Sequence, residues 1–340
     1  MVKIATPHKS LLDTFLTPAL RVELGARTTR NGFRLSDIVK SGIENPDSSI
    51  GIYAPDAHSY AVFSPLFLPV IVEYHGYDVE KSAHKHDLDI SVLHLPPLDP
   101  EGRFIVSTRV RVGRNLKNFP LVPGISDMQR KEVERKTVSA LRTLKGGLAG
   151  TYYPLTRMSE KARQKLVSDH FLFKQGDRFL ESAGANRHWP SGRGIFHSKD
   201  KRFLVWVNEE DHLRIISMET GGNLLSVFER LVRAIKTLEE KLVFEYSPQL
   251  GYISSCPTNL GTAMRASVHV KLPRLSAQKN FKKICADLGL SVRGLHGEHS
   301  ESKEGIFDIS NKRRLGISEV EIVKQLHKGV ERLIHLEQKL

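Results

Sequence analysis

The sequence predicts an α+β protein in which a small helical N-terminal part precedes a larger part built from helices packed on one mainly antiparallel sheet. Three observations lead there. Residues 1–85 read as helices separated by loops. Apolar and polar residues alternate through Phe104–Val112 and Val268–Leu272, the period of strands with one buried face, and Phe203–Val207 is a short strand-like segment. Strand-like and helix-like segments then mix too irregularly for a doubly wound parallel sheet.

The elements follow in order. Pro46-Asp47-Ser48-Ser49-Ile50-Gly51 is dense in turn formers, and Ala54-Pro55-Asp56 prolongs the irregular stretch. Leu95-Pro96-Pro97-Leu98-Asp99-Pro100 reads as extended chain, because proline blocks helix continuation. We therefore expect an N-terminal domain over 1–85, a linker over 86–100 and a second domain over 101–340. Helical spacing recurs at 128–145, 159–169, 223–241 and 318–336. The last opens with Ser318-x-x-Glu321, a capping box, and its Ile322, Val323, Leu326, Val330, Leu333 and Ile334 suit core contact. Glu209-Glu210-Asp211 lies between two apolar segments, as expected of a hairpin, and taken alone would be a solvated turn. Gly192-Arg193-Gly194 and Thr220-Gly221-Gly222 read as turns.

Composition narrows the function. Charged residues at 26% and hydrophobic ones at 40% are ordinary for a soluble globular protein. The longest apolar stretch, Ala61–Val72, is broken by Pro65 and Pro69 and is too short to span a bilayer. The first ten residues lack the apolar core of a signal peptide. With only Cys256 and Cys285, the expected setting is the reducing cytoplasm, with free thiols. The terminal Gln-Lys-Leu is a poor match to a Ser-Lys-Leu peroxisomal address. Net charge is +13, yet residues 1–85 balance nine basic against nine acidic side chains, so the excess lies wholly beyond them. That surface favours anionic partners such as nucleotides. Nucleic acid is not expected, for no zinc-finger spacing, aromatic-interleaved basic stripe or helix-turn-helix pattern is present.

Alternation puts Arg109 and Arg111 on one strand face, opposite Val106, Thr108, Val110 and Val112. Arg265, Ser267 and His269 likewise share a face opposite Val268 and Val270, and Arg214 sits in a third apolar segment. Guanidinium groups converging from several strands form a polyphosphate cradle, because each is permanently charged and donates in a fork. No Walker A motif or protein-kinase signature set is present. Cys256 stands in a turn with Arg265 nearby, which predicts a lowered pKa, whereas Cys285 in Lys-Lys-Ile-Cys-Ala-Asp suits a small buried hydrophobe.

Four motifs share an order and spacing. They are Ser107-Thr108-Arg109-Val110-Arg111, Trp206-Val207-Asn208-Glu209-Glu210-Asp211-His212-Leu213-Arg214, Cys256-Pro257-Thr258-Asn259-Leu260-Gly261-Thr262 with Arg265, and Arg293-Gly294 with Glu298. From about residue 30 to the C-terminus the chain resembles the phosphagen (ATP:guanidino) kinases, nearest to their arginine-specific branch. The resemblance implies an eight-stranded antiparallel sheet and reversible transfer of the ATP γ-phosphoryl to L-arginine, giving ADP and phosphoarginine for energy buffering. It assigns the ATP phosphates to Arg109, Arg111, Arg214, Arg265 and Arg293, with His170 and His269 near adenine and ribose. It assigns the guanidinium to Glu210, Glu298 and Cys256 as a thiolate, and places Arg214 with them as catalytic. Backbone N–H groups of Ser48, Ser49 and Ile50, with the Tyr53 hydroxyl, would take the amino-acid end. Asp47 and Arg178 match a pair linking two domains, and 294–306 would order as a lid. The resemblance further implies a monomer, Mg²⁺ arriving as MgATP and leaving as MgADP, and no metal site of the protein's own. Ser49 and His296 depart from a common glycine and arginine, and His58 from a usual glutamate. The alternatives are a kinase for another guanidine such as taurocyamine, or a non-catalytic nucleotide- or polyanion-binding relative.

Overall fold

Apolar residues three and four apart put one continuous stripe on each long helix, and two such stripes meet one face of a central sheet. The computed structural model describes residues 9–175, 177–294 and 305–340. Its strands are β1 (Ile105–Arg114), β2 (Gly150–Pro154), β3 (Gly194–Ser198), β4 (Phe203–Val207), β5 (Leu213–Thr220), β6 (Tyr246–Ser247), β7 (Gly251–Tyr252), β8 (Met264–Lys271), β9 (Leu290–Gly294) and β10 (Ile306–Asn311). Eight of them form one sheet in the order β2-β3-β4-β5-β1-β8-β10-β9, every neighbour antiparallel; β6 and β7 pair separately. The expected α+β class and eight-stranded sheet are thus both present.

One face of the sheet is apolar. Val110 lies opposite Ala266 and Ser217, and Val112 opposite Met264 and Ile215; Val110 and Val112 of β1 and Val268 and Val270 of β8 are fully buried. The helix Leu224–Glu239 covers this face with Leu224, Val227, Phe228, Leu231, Val232, Ile235 and Leu238. The C-terminal helix Glu319–Lys339 adds the six apolar residues expected of it, all buried. Each such Leu, Ile or Val contributes about 1.5–3 kcal/mol relative to an exposed position. Caps fix where these helices begin. Asn223 Oδ1 accepts from the Ser226 N–H at 3.0 Å, and the Ser318/Glu321 box is closed in both directions.

Val106 breaks the expected alternation. It is 43% exposed, because the β1–β8 register shifts between Ile105 and Ser107 and turns this side chain outward.

The N-terminal helices Leu11–Phe15, Pro18–Gly25, Leu35–Glu44, Ser59–Val62 and Ser64–His75 make a second core around Leu24, Ile38, Phe63 and Phe67. Leu121, Leu250, Ile253, Leu260 and Leu315 join that core from later in the chain, so it seats directly on the loops at one end of the sheet. Segment 86–100 runs along the larger core: Leu88, Leu93 and Leu98 are buried in it, and the Leu98 N–H donates to Gly222 O at 3.0 Å.

Candidate active site

The opposite face of the sheet is cationic. Cross-strand partners share a face, and Arg111 lies opposite Arg265, Arg109 opposite Ser267, and Gly113 opposite Arg214. His269 lies opposite both Ser107 and Asp308, and Asp308 opposite Arg293. All five expected phosphate-binding arginines therefore come to one face. Arg109 and Arg214 rest against Trp206, their guanidinium carbons 5.7 and 5.3 Å from its ring centre.

These cations are not equally satisfied. Among the described residues Arg111 makes no hydrogen bond or ion pair, and Arg109 Nε is buried without a partner. Burial, then repulsion from Arg214 and Arg265, lowers the Arg109 pKa to about 10. Arg111 is also pushed well down, by burial and by Arg214, Arg109 and Arg265. A crowded, under-bonded set of cations is destabilising until an anion enters. Arg265 is already paired, for its Nη2 donates to Asp308 Oδ2 at 2.9 Å. Charge attraction to Arg265 holds the Asp308 carboxyl below its usual range against the opposing effect of burial. His269 Nδ1 is 3.1 Å from Ser107 Oγ, and burial lowers its pKa, with nearby Arg265, Arg109 and His170 adding to the effect. His170 itself sits at φ 62°, just beyond the helix Glu160–Ser168.

Glu209, Glu210 and Asp211 do lie at a hairpin, between β4 and β5, but not as a solvated turn. The Asp211 side chain is buried and accepts from Asn115 Nδ2 at 2.7 Å, from Ser254 Oγ at 2.8 Å and from the Ser255 N–H at 3.2 Å. Gly113 makes room for it: a Cβ there would lie 2.6 Å from Asp211 Oδ2. Arg214 donates to Glu210 Oε2 at 2.7 Å and to Glu209 Oε1 at 3.1 Å, with all three side chains at most 17% exposed. Burial raises the Glu210 pKa from 4.5 to about 7, Arg214 and Arg111 opposing, Asp211 and Glu209 adding to the rise.

The loop before β8 brings the thiol to this carboxylate. Ser255 Oγ donates to Glu210 O at 3.0 Å, Cys256 follows, and Pro257–Asn259 form a single 3-10 turn. N-terminal residues clamp the same loop: Ala54 N–H donates to Ser255 O at 2.7 Å, Tyr60 Oη to Ser254 O at 2.7 Å, and His75 Nε2 to Pro257 O at 2.9 Å. Because a carbonyl only accepts, His75 carries its proton on Nε2. The thiol does not have the lowered pKa expected of it. Burial, reinforced by Glu210, pushes the Cys256 pKa up to about 12, against the pull of Thr258, whose Oγ1 is 3.1 Å from Sγ. The cation that opposes this rise is Arg314, not the expected Arg265.

The loop expected to take the amino-acid end offers two of its three N–H groups. Among the described residues the N–H groups of Ser49 and Ile50 have no acceptor, but the Ser48 N–H donates to Asn45 O at 2.9 Å and is already occupied. The Tyr53 hydroxyl lies near enough to Cys256 and Glu210 for both to raise its pKa, after burial. Asp47 and Arg178 form an exposed ion pair, and alongside it Ser41 Oγ donates to Phe179 O at 2.8 Å. Glu298, His296 and most of the expected lid lie outside the described residues.

Arg314 went unnoticed in the sequence. It lines one cavity with Arg111, Arg214, Arg265, Asp211 and Asn259. Nothing in Asn311-Lys312-Arg313-Arg314-Leu315-Gly316 signals this; Asn259, by contrast, stood inside the cysteine motif without a role.

Comparison with known proteins agrees with this geometry. The model for the ATP:guanido phosphotransferase C-terminal catalytic domain matches residues 132–340, and that for the N-terminal domain matches residues 6–72. The chain belongs to the ATP:guanido phosphotransferase family. It is similar to an arginine kinase of Anthopleura japonica, 53% identical over 97% of this chain and 46% of the relative. A probable arginine kinase of Caenorhabditis elegans is 52% identical over 98% of this chain and 93% of the relative. Among solved structures, the duplicated taurocyamine kinase of Schistosoma mansoni with bound transition-state-analogue components superposes with a TM-score of 0.92 at 44% identity, over 98% of this chain and 47% of that one. The chain thus spans about half the length of the Anthopleura and Schistosoma proteins and nearly all of the Caenorhabditis one.

Proposed function

We propose that the chain catalyses MgATP + L-arginine ⇌ MgADP + phosphoarginine. The observation that carries this is the contact of unlike charges: the buried Glu210 carboxylate, near the Cys256 thiol, is joined through Arg214 to an under-neutralised bed of arginines. The bed suits a polyphosphate, and the orphaned Arg109 Nε is a donor waiting for a phosphate oxygen. Arg109, Arg111, Arg214, Arg265 and Arg293 take the phosphates, Arg265 with Asp308 fixing its direction. His170 and His269 flank the nucleoside, and Mg²⁺ comes and goes with the nucleotide.

On the acceptor side, Glu210, Glu298 and Cys256 receive the planar guanidinium, and the free N–H groups of Ser49 and Ile50 with the Tyr53 hydroxyl take the far end. A nitrogen of arginine forms a bond to the γ-phosphorus as the bond to the ADP oxygen breaks, its electron pair staying on that oxygen. The nitrogen loses a proton, and Glu210 accepts it when ionised, since its raised pKa suits a general base. Alignment and charge neutralisation supply most of the acceleration. The arriving guanidinium also brings the positive charge that favours the Cys256 thiolate.

The two arginine kinase relatives, at 53% and 52% identity, favour arginine over taurocyamine, whose kinase is 44% identical. We further place residues 1–85 on the acceptor side and 101–340 on the nucleotide side of a closing cleft, with 86–100 between. The enzyme is proposed to work as a monomer, as the resemblance to the family implies, and in the reducing cytoplasm, which keeps Cys256 and Cys285 as thiols. A coupled assay over a panel of guanidines tests this: arginine gives the highest kcat/KM, and Glu210→Gln abolishes turnover. Preference for another guanidine overturns the substrate, and an active Glu210→Gln overturns the site.

A further inference from the structure

Glu210 is held at both carboxylate oxygens, and the second hold runs through residues to which the reaction has so far given no part. Oε2 accepts from Arg214 Nη2 at 2.7 Å, while Oε1 accepts from Asn259 Nδ2 at 3.0 Å. Asn259 is fixed in turn. Its Oδ1 accepts from Arg314 Nη1 at 2.9 Å, and the same nitrogen donates to Thr258 O at 2.8 Å. A guanidinium has donors only, so the amide oxygen must face Arg314 and the amide NH₂ must face Glu210. The flipped amide would set donor against donor at one end and acceptor against acceptor at the other.

We infer that Asn259 and Arg314 are positioning residues for the phosphoryl acceptor: Arg314 sets the sense of the Asn259 amide, and that amide holds the Glu210 carboxylate in the plane that receives the guanidinium. This deepens the proposed function and rests on it. The placement of Arg314 is itself tightly built. Its backbone carbonyl accepts from the Thr262 N–H at 2.9 Å, and Gly261 is needed there, since a Cβ would lie 2.1 Å from Arg314 O. From this position one cation serves both acceptor-side groups, Glu210 through Asn259 and Cys256 through its charge. It does so from the wall that also carries Arg111, Arg214 and Arg265.

The discriminating variant is Asn259→Asp. It keeps the shape and still accepts from Arg314, but it cannot donate to Glu210 and faces it with like charge. Loss of a hydrogen bond to a charged group lowers kcat/KM for arginine about 10- to 100-fold. The KM for ATP stays within about twofold of wild type, because the loss falls on the acceptor. The charged groups facing Glu210 are Arg214, Glu209 and Asp211 on its hairpin, Arg111 on β1, Cys256 on the loop and Arg314 beyond it. None of these is altered, so the added carboxylate moves the acid limb of kcat/KM to higher pH. Arg314→Gln is the second variant: glutamine both donates and accepts, so the Asn259 amide is no longer oriented, and the same acceptor-side loss follows in smaller measure. A wild-type far-ultraviolet circular dichroism spectrum and one cooperative thermal transition show that each variant is folded. Wild-type arginine KM and an unmoved pH profile in Asn259→Asp overturn the inference; if that variant does not fold, wild-type kinetics in Arg314→Gln overturn it. A wild-type protein that phosphorylates no guanidine instead defeats the parent reading, so the two failures are distinct.

Discussion

The two faces of β1 differ by one step of alternation and act in opposite directions. Val110 and Val112 point into a closed apolar core, whereas Arg109 and Arg111 point into the cleft, partly exposed and short of partners. The first face stabilises the fold; the second, without ligand, works against it, since crowded cations lose hydration and gain no counter-charge. If the face binds a polyanion as proposed, it is destabilising when empty, and the core behind it must offset that cost.

The comparison can be broken most forcefully at Arg111. Arg111→Met is expected to lower kcat/KM about a thousandfold, the scale of losing a phosphate-stabilising cation. Its thermal unfolding midpoint should stay level or rise, because an uncompensated charge has gone. A less stable but still active variant would remove the distinction between the faces. The opposite substitution lies behind the sheet. Leu231→Ala, in the helix covering Val110 and Val112, should cost about 2–5 kcal/mol in denaturant unfolding with both KM values kept. A change in KM without loss of stability would show that the core tunes the site directly.

A smaller effect sharpens the contrast within the cleft. Glu210 has a native pKa raised from 4.5 to about 7, so the folded state holds a proton that the unfolded chain releases. Its contribution to stability is full below its unfolded pKa and is lost as pH rises through the native one. Activity runs the other way, because the carboxylate must be ionised to grip a cation. Between pH 5 and 8 wild type should lose stability relative to Glu210→Gln while gaining activity; parallel urea-unfolding curves for the two proteins would refute this.

Local patterns made much of the fold legible. Alternation marked β1 and β8, an unbroken apolar run marked β4, and the helix after Ser318 began at the expected cap. The five-residue strands β2, β3 and β9 carry too few alternations to be seen, so the count of eight came only through the resemblance. In the site, spacing placed Arg109 with Arg111 and Arg265 with His269. It missed Asp308 on Arg265, Asn45 on the Ser48 N–H and Arg314 near Cys256, because each depends on which strands and loops become neighbours.

What the chain settled unaided is its alternation and caps, and the residue types in its motifs: which side chains share a strand face and where helices start follow from backbone period. Tertiary structure alone decided the state of those side chains. The pKa values of Glu210 and Cys256 are raised and Asn259 has one orientation, because desolvation and the nearest charges come from residues remote along the chain, such as Arg314, that only packing brings close.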